Sequence, residues 1–227
     1  ALPIFINYAR FIMISLTLQT TASDTILFVG GGAVAERRLA LCLDEPCQCI
    51  VISPVITNQM KAWHEDNRFI WHNTVFSDDH IDIVKQCKLL FICTDNKAVN
   101  NYIEAIARNN GILVNRADNA TACDFTVPST IDMGDLHVAI SANNGGPRIN
   151  RLVKQDMMNR YNILQIAIPR LKIMREEVKL LIPSVEERSR FWRTHLSETE
   201  FQAILKGQWP LIEEKLHHAI SGIRTKS

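Results

Sequence analysis

The sequence predicts an α/β protein with a Rossmann-like, doubly wound parallel sheet, followed by a small strand-containing dimerisation module and a helical C-terminal domain. Three observations predict this class. A glycine-rich turn follows an apolar run near residue 30, short apolar runs alternate with helical stretches up to about residue 115, and the chain beyond residue 148 is helical and charged. Alternation of strands and helices is typical of parallel strands joined by crossover helices.

The glycine-rich turn lies in residues 25–35, which read TILFVGGGAVA. Its G-x-G-x-x-A spacing is that of a dinucleotide-binding turn: Gly30 suits the tight turn, Gly32 allows close approach of a pyrophosphate, and Ala35 packs helix on strand. Amides at the start of the helix are expected to hold the phosphates. A plain strand-to-helix turn can carry the same letters, but the flanking strand and helix patterns favour a cofactor.

The other elements of the first domain follow in order along the chain. We predict strands at residues 25–29, 49–52, 69–72, 89–93 and 112–114, and helices at residues 34–43, 57–65, 80–85 and 97–109. Ligands of such sheets bind at the carboxyl ends of the strands. Three loops are therefore expected to meet there: the glycine turn, Ser53-Pro54-Val55 and Thr94-Asp95-Asn96.

The second strand lacks the acidic residue that commonly binds the adenosine ribose of NAD, because it ends in Ile52-Ser53-Pro54. No arginine stands there for NADP either. Ser53 offers a hydroxyl to the ribose, and NAD is the preferred cofactor, although this position alone does not separate it from NADP.

After residue 115 the pattern changes. Residues 125–129 and 136–141 are predicted strands joined by a polar turn at residues 132–135. Two strands cannot bury both of their faces alone. We expect them to pack on the first domain, on the helical tail or on a second copy of the chain, and we favour a homodimer.

The tail is expected to contain several helices, because Pro169, Pro183 and Pro210 predict breaks. The predicted domains are residues 1–115, which bind the cofactor, residues 116–148, which form the strand-rich module, and residues 149–227, which are helical.

Composition excludes some partners and favours a cytoplasmic location. A net charge of +1 argues against a nucleic-acid partner. The six cysteines have no paired CxxC spacing, which favours reduced thiols in the cytoplasm over a thiolate metal site. The apolar run at residues 11–18 faintly resembles a secretory signal, but it is too short to span a bilayer, so we expect an opening strand or a sheet-edge segment and no membrane partner.

Several segments together resemble the siroheme synthase family of precorrin-2 dehydrogenases and sirohydrochlorin ferrochelatases. They are LPIF, FVGGGAVAERR, CTDNKAVN, LVNRADNATACDFTVPSTIDMGDLHVAIS, GGPRINRLVKQDM and PSVEERSRFW, and the resemblance covers residues 2 to about 195. It implies oxidation of precorrin-2 to sirohydrochlorin with NAD. In many members ferrous iron, as co-substrate, is then inserted to give siroheme.

The resemblance implies that Asp118, in VNRAD, is the catalytic residue for both steps. Oxidation removes a hydride and a proton, and a positioned carboxylate can accept that proton. On the residues alone, a turn role for Asp118 is the stronger interpretation, and the family match reverses this. Asp124 is the rival carboxylate, and His137 is expected to be a packed side chain rather than an iron ligand. No resident metal site is predicted, which suits a metal bound transiently.

The resemblance also places cofactor contacts at Ala33 and Val34, at Pro54 and Val55, and at Thr94 and Asp95, where Asn96 replaces a second acid. The predicted cofactor-binding residues are Gly30, Gly32, Ala33, Val34, Ser53, Pro54, Val55, Thr94 and Asp95.

The substrate implied by the resemblance carries acetate and propionate carboxylates, which need cations and hydrogen-bond donors. Arg148, Arg151 and Lys154 are spaced to share one helix face, and an ordinary solvated basic face is an equal alternative. Ala142 stands where many members carry a hydroxyl. The predicted substrate-binding residues are Arg116, Ser141, Asn143, Arg148 and Arg151.

Three functions stay open at this point. The chain is a dehydrogenase and ferrochelatase, a dehydrogenase alone, or a non-catalytic module that binds NAD or a tetrapyrrole. The retained Asp118 favours the first, whereas the missing ribose acid and the altered loop at Ala142 are the observations behind the third.

Overall fold

The computed structural model describes residue 14, residues 16–141 and residues 146–224. The chain divides into two compact units, Ala1–Val127 and Pro128–Ser227. The expected opening strand at residues 11–18 lies largely outside the described residues, and residues 16–18 belong to no strand.

The first unit is a parallel sheet with helices between its strands. Its elements are β1 (Thr25–Val29), α1 (Ala33–Leu39), β2 (Gln48–Ile52), α2 (Asn58–Glu65), β3 (Ile70–His72), a 3-10 turn (Asp78–His80), α3 (Ile81–Gln86), β4 (Leu89–Ile92), α4 (Lys97–Asn109), β5 (Leu113–Arg116) and a second 3-10 turn (Ala120–Ala122). The strand order is β3-β2-β1-β4-β5, with every neighbouring pair parallel. The predicted Rossmann-like sheet is therefore confirmed.

Both faces of the sheet are buried, which explains why its strands read as continuous apolar runs. Along β1, Leu27 and Val29 belong to one core, which also contains residues of α3 and α4. Ile26 and Phe28 belong to the other core, with Leu39 of α1. The helix α1 ends four residues before the predicted limit, and residues 40–44 form turns that still pack Cys42 and Leu43 against this core.

The second unit is a hairpin followed by helices. Its elements are β6 (Ser129–Met133), β7 (Leu136–Ile140), α5 (Pro147–Tyr161), α6 (Leu164–Leu181), α7 (Val185–His195), α8 (Glu198–Leu205) and α9 (Trp209–Arg224). The two strands are antiparallel, and buried side chains from α6 to α9 form one apolar core. In the described part of the chain, no helix is both long enough and apolar enough to cross a bilayer.

The prediction of a strand at residues 125–129 was wrong, because β6 begins where that range ends. Ile131 and Met133 are buried while Thr130 and Asp132 are exposed, so the strand continues into the first half of the segment predicted as a turn, and the turn itself is at residues 134–135. The Asp132 carboxylate accepts a hydrogen bond from the Gly134 N–H at 3.0 Å. Asp132 is therefore an outward-facing strand residue that also supports the turn.

The predicted break at Pro169 was also wrong, because this residue lies inside α6. A proline inside a helix removes one backbone hydrogen bond. Here Ala167 before it and Met174 after it are both buried on the same helix, and their packing outweighs that loss. Pro183 separates α6 from α7, and Pro210 lies in the first turn of α9, where its missing N–H would have had no helical partner.

Candidate functional site

A cleft of about 730 Å³ lies at the carboxyl ends of the strands in the first unit. The three loops expected to meet there all contribute to it, together with Val75 and Phe76 from the loop after β3. The lining residues that the structure describes are Val29 to Gly32, Ile52 to Thr57, Val75, Phe76, Cys93 to Asn96, and Val99. Parallel sheets of this topology bind ligands at this edge.

Two of the three glycines in the turn leave no room for a side chain. Gly30 has a φ of +111°, and a Cβ there would lie 2.6 Å from the carbonyl oxygen of Cys93. A Cβ on Gly31 would lie 2.2 Å from the carbonyl oxygen of Val55. No atom lies within 4 Å of the corresponding position on Gly32, so this residue borders open space in the cleft.

The sequence reasoning missed Gly31, whose only signal was the unbroken run of three glycines. Among the residues predicted to bind a cofactor, Gly30, Gly32, Ser53, Pro54, Val55, Thr94 and Asp95 line the cleft. Ala33 and Val34 lie in the first turn of α1 and are not among its lining residues. The Ser53 hydroxyl donates to the Val55 carbonyl oxygen at 2.7 Å, so it supports the loop.

The charge of the residues that line the cleft favours NAD over NADP. Among the described lining residues, Asp95 has the only carboxylate, and none is lysine, arginine or histidine. A pyrophosphate here would have to be held by backbone N–H groups, as is usual at glycine-rich turns. The additional 2′-phosphate of NADP would find no cation, so the cleft is better suited to NAD.

Asp118 follows the end of β5 and is paired with Arg116. The guanidinium donates from Nε to Oδ1 at 3.0 Å and from Nη2 to Oδ2 at 2.7 Å. The Arg116 side chain is 4% exposed and that of Asp118 is 20% exposed. This pairing lowers the pKa of Asp118 to about 2, although partial burial opposes the effect. Asp118 is therefore a carboxylate at every physiological pH.

Arg116 makes further bonds within the chain. Its Nη1 donates to Asn101 Oδ1 at 2.7 Å and to Glu104 Oε2 at 2.6 Å. The two carboxylates raise the pKa of the guanidinium, with Asp118 as the larger cause. Contact between Arg116 and a substrate carboxylate would require some of these bonds to break, and its substrate-binding role stays a prediction.

Asn100 on α4 holds the loop of the cleft that contains Thr94. Its side chain is fully buried; the Thr94 hydroxyl donates to its Oδ1, and its Nδ2 donates to the Thr94 carbonyl oxygen at 3.0 Å. After Arg116, the Asn100 amide is a further cause of the lowered pKa of Asp118. The sequence held a weak signal, since Asn100 lies three residues before Ile103 on the buried face of a helix.

Asp124 and His137, the other two candidate residues, lie in surroundings that differ from those of Asp118. Asp124 accepts hydrogen bonds from the Val114 N–H at 2.9 Å and from Arg108 at 2.8 Å, so it fixes the loop after β5. The expected packing of His137 was wrong, because its side chain is exposed, with Nδ1 3.8 Å from Asp132 Oδ1. Among the described residues, no group of three or more histidine, cysteine or acidic side chains could hold a metal ion.

A second cavity, of about 600 Å³, lies in the second unit and is lined by Ser129, Arg148, Asn150, Arg151 and Lys154. Lys154 donates to the Thr130 carbonyl oxygen at 2.7 Å. Arg148 and Arg151 have no ion-pair partner among the residues that the structure describes. Ser141 is exposed at the end of β7, and the predicted Asn143 lies outside the described residues.

The Arg116–Asp118 pair predicts a pH dependence of stability. The pKa of Asp118 is 3.8 in its ordinary state and about 2 in the folded chain, so the pair stabilises the fold fully above pH 4. This contribution is lost as the pH falls towards 2, and it amounts to about 1 kcal/mol because the carboxylate is partly solvated. We expect urea unfolding to show that Asp118→Asn destabilises the chain at pH 6 and has no effect near pH 2. An equal effect at both pH values would contradict the pairing.

Two family models match the chain. One, described as "Putative NAD(P)-binding", matches residues 17–129, and the other, "Sirohaem synthase dimerisation region", matches residues 171–220. The first covers the parallel sheet and its cleft. The second covers most of the helices from α6 to α9.

Relatives with assigned names match nearly the whole chain. The siroheme synthase of Nitrosococcus oceani is 29% identical over 225 residues, which are 97% of this chain and 44% of that protein. Siroheme synthase 1 of Yersinia enterocolitica is 29% identical over 201 residues, 87% of this chain and 41% of that protein. The chain thus spans less than half the length of these relatives.

A solved structure titled "SirC, precorrin-2 dehydrogenase" has the same fold. It superposes with a TM-score of 0.74 at 18% sequence identity, over 94% of this chain and 100% of that one. At this identity the similarity supports the fold.

Proposed function

Because this chain belongs to the siroheme synthase family, we propose that it oxidises precorrin-2 to sirohydrochlorin with NAD as the electron acceptor. The observation that carries this proposal is the position of Asp118 at the same edge of the sheet as the dinucleotide cleft. Asp118 follows the carboxyl end of β5, and the cleft is lined by the loops after β1, β2 and β4, so both lie at one edge of the parallel sheet.

The cleft fits NAD. Gly30 and Gly31 bring the turn against the neighbouring loops, and Gly32 borders open space into which the pyrophosphate can approach the backbone. We propose that these residues, with the loops Ser53 to Val55 and Thr94 to Asp95, hold the dinucleotide, and that Ala33 and Val34 contribute from the start of α1. NAD, when bound, accepts a hydride from the substrate.

Asp118 is proposed to take the proton that must also leave, so that precorrin-2 and NAD⁺ give sirohydrochlorin, NADH and a proton. Arg116 lowers the basicity of this carboxylate, because it stabilises the charged form. Proton acceptance therefore requires the contact between Arg116 and Asp118 to loosen when substrate binds. We also propose that Arg116 then contributes a cation to a substrate carboxylate.

The cavity in the second unit is proposed to bind carboxylates of the macrocycle through Arg148 and Arg151, with Ser141 and Asn143 as hydrogen-bond donors. We expect Arg151→Gln to raise the KM for precorrin-2 about tenfold and to change kcat little, because a charge-assisted contact that is equal in ground and transition states affects binding alone. The matched control is Lys206→Gln, an exposed cation of the same unit. Equal KM values for both variants would exclude Arg151 from the substrate site.

Iron insertion is the proposed second activity, with ferrous iron as a co-substrate and Asp118 removing pyrrole protons. The alternatives are a dehydrogenase alone and a binding module without turnover. Sirohydrochlorin and ferrous iron, supplied directly under anaerobic conditions, separate them. Siroheme formation faster than the protein-free rate supports the bifunctional enzyme, and an unchanged rate with active oxidation leaves a dehydrogenase alone.

We further propose a homodimer in the cytoplasm. The dimerisation-region match at residues 171–220 supports the dimer, and the six cysteines, all in the described ranges, carry free thiols. In this arrangement residues 1–115 bind the cofactor, residues 116–148 carry Asp118 and the hairpin, and residues 149–227 contribute to the dimer. Sedimentation equilibrium of the full chain would test the dimer.

The dehydrogenase proposal is tested by initial rates of sirohydrochlorin formation with NAD and with NADP. We expect NAD to give at least tenfold higher kcat/KM, because the cleft offers a 2′-phosphate no cation. Oxidation that proceeds as well with NADP would contradict this assignment of the cleft.

A further inference from the structure

We infer that Glu36 is a positioning residue whose carboxylate, through the Thr57 hydroxyl, holds the loop after β2 against the glycine turn. We call residues 53–57 the β2 loop. The inference rests on the proposed function, since it takes the cleft between this loop and the glycine turn as the NAD site. Thr57 lines that cleft, whereas Glu36 is not among its described lining residues. Neither residue was predicted from the sequence to contact the cofactor.

The position of Glu36 is set by the start of α1. It lies in the first turn of this helix, and its N–H donates to the Gly32 carbonyl oxygen at 3.0 Å. Its Oε2 accepts a hydrogen bond from the Thr57 hydroxyl at 2.5 Å. Glu36 therefore contacts the glycine turn through its backbone and the β2 loop through its side chain.

Thr57 is the residue at which the β2 loop meets α2. Its Oγ1 accepts from the Met60 N–H at 3.2 Å and so caps the helix, and its own N–H donates to the Gly31 carbonyl oxygen at 3.2 Å. A threonine hydroxyl has one hydrogen to donate, and here Glu36 accepts it. The carboxylate thus fixes the direction of the hydroxyl that caps α2 and ends the loop.

The contact matters because the loop and the turn approach each other closely. The Gly30 N–H donates to the Ile52 carbonyl oxygen at 2.9 Å, and a Cβ on Gly31 would lie 2.2 Å from the Val55 carbonyl oxygen. These contacts involve backbone atoms, whereas the bond between Glu36 and Thr57 joins two side chains and can be removed by substitution. Two walls that are held in place before NAD arrives lower the ordering cost of binding.

The first test is calorimetric titration of NAD into the full chain. We expect Glu36→Ala to raise the Kd for NAD about tenfold, because a hydrogen bond to a charged group is lost from the wall of the cleft. Glu36→Gln should bind NAD as the wild type does, since its amide oxygen accepts the same bond. The matched control is Glu65→Ala, which removes an exposed carboxylate at the end of α2 and should change nothing.

The partner residue gives a second comparison. Thr57→Val should also weaken NAD binding, and adding Glu36→Ala to that variant should weaken it little further, since both changes break the same bond. Additive losses, or a Kd for NAD that Glu36→Ala leaves unchanged, would overturn the inference.

Amide hydrogen exchange without cofactor measures the loop itself. We expect the Thr57 N–H to exchange faster in Glu36→Ala than in the wild type or in Glu36→Gln. The N–H of Leu90, in the buried strand β4, should be unchanged, which separates local loosening from loss of global stability. Thr57 exchange that is equal in Glu36→Ala and Glu36→Gln would contradict the positioning role.

The same measurement separates this inference from the proposed function. A wild type that binds NAD without oxidising precorrin-2, or that does not bind NAD, contradicts the proposed function, and the exchange of the Thr57 N–H still decides whether Glu36 holds the β2 loop. If Glu36→Ala does not fold, Thr57→Ser and Thr57→Val replace it, because serine keeps the hydroxyl and valine lacks it. Equal affinity for NAD in these two variants would then overturn the inference.

Discussion

Asp118→Asn should lower the rate of precorrin-2 oxidation by about 10²- to 10⁴-fold, the usual range for loss of a positioned proton acceptor. The amide is nearly the same size as the carboxylate and can still accept a hydrogen bond from Arg116, so the loop after β5 keeps its shape. It cannot take up the proton that accompanies hydride loss. The effect should fall mainly on kcat, measured with saturating NAD and precorrin-2 under anaerobic conditions.

The matched control for this loss is Asp124→Asn. Asp124 accepts from the Val114 N–H and from Arg108, so its replacement should reduce stability while kcat stays within a few-fold of wild type. A large loss of kcat in Asp124→Asn with a near-normal Asp118→Asn would reverse the assignment. The same two variants, assayed with sirohydrochlorin and ferrous iron, show whether one carboxylate serves both reactions.

Gly30→Ala should destabilise the chain by at least about 2 kcal/mol, because its backbone conformation is open almost only to glycine and a Cβ would meet the Cys93 carbonyl oxygen. Gly32→Ala should leave the free energy of unfolding nearly unchanged, since its Cβ would point into open space. It should nevertheless weaken NAD binding at least tenfold, because the added methyl group occupies the place of the approaching pyrophosphate.

Urea unfolding and NAD titration of the two variants provide the measurements. We expect the two variants to differ. Gly30→Ala loses stability, whereas Gly32→Ala loses affinity for NAD and keeps a normal stability. If Gly32→Ala binds NAD as tightly as the wild type, the pyrophosphate does not lie against this turn.

The sequence was sufficient to predict features that depend on residues adjacent along the chain. The glycine turn is such a feature, because strand, turn and helix start follow one another within eleven residues. The parallel sheet followed from the alternation of short apolar runs with helical stretches. The helix α4 was predicted to the residue, since an asparagine cap and a regular apolar stripe mark its ends.

Features that depend on distant contacts could not be read in the same way. The need for glycine at residue 31 arises from the Val55 carbonyl oxygen, which only the folded loop brings near. Arg116 was predicted to bind a carboxylate of the substrate, but in the fold its side chain is buried and paired with Asp118 and Glu104. The start of β6 was misjudged because Asp132 resembles a turn residue, and only the burial of Ile131 and Met133 identifies the strand.

Coupling of precorrin-2 oxidation to NAD reduction is tested most directly by the stoichiometry of one anaerobic reaction. The purified chain is mixed with precorrin-2 and NAD, and NADH and sirohydrochlorin are followed by their absorbance. We expect equal amounts of the two products and no sirohydrochlorin when NAD is omitted. Sirohydrochlorin without matching NADH, or an NAD-binding chain that forms neither, would contradict it.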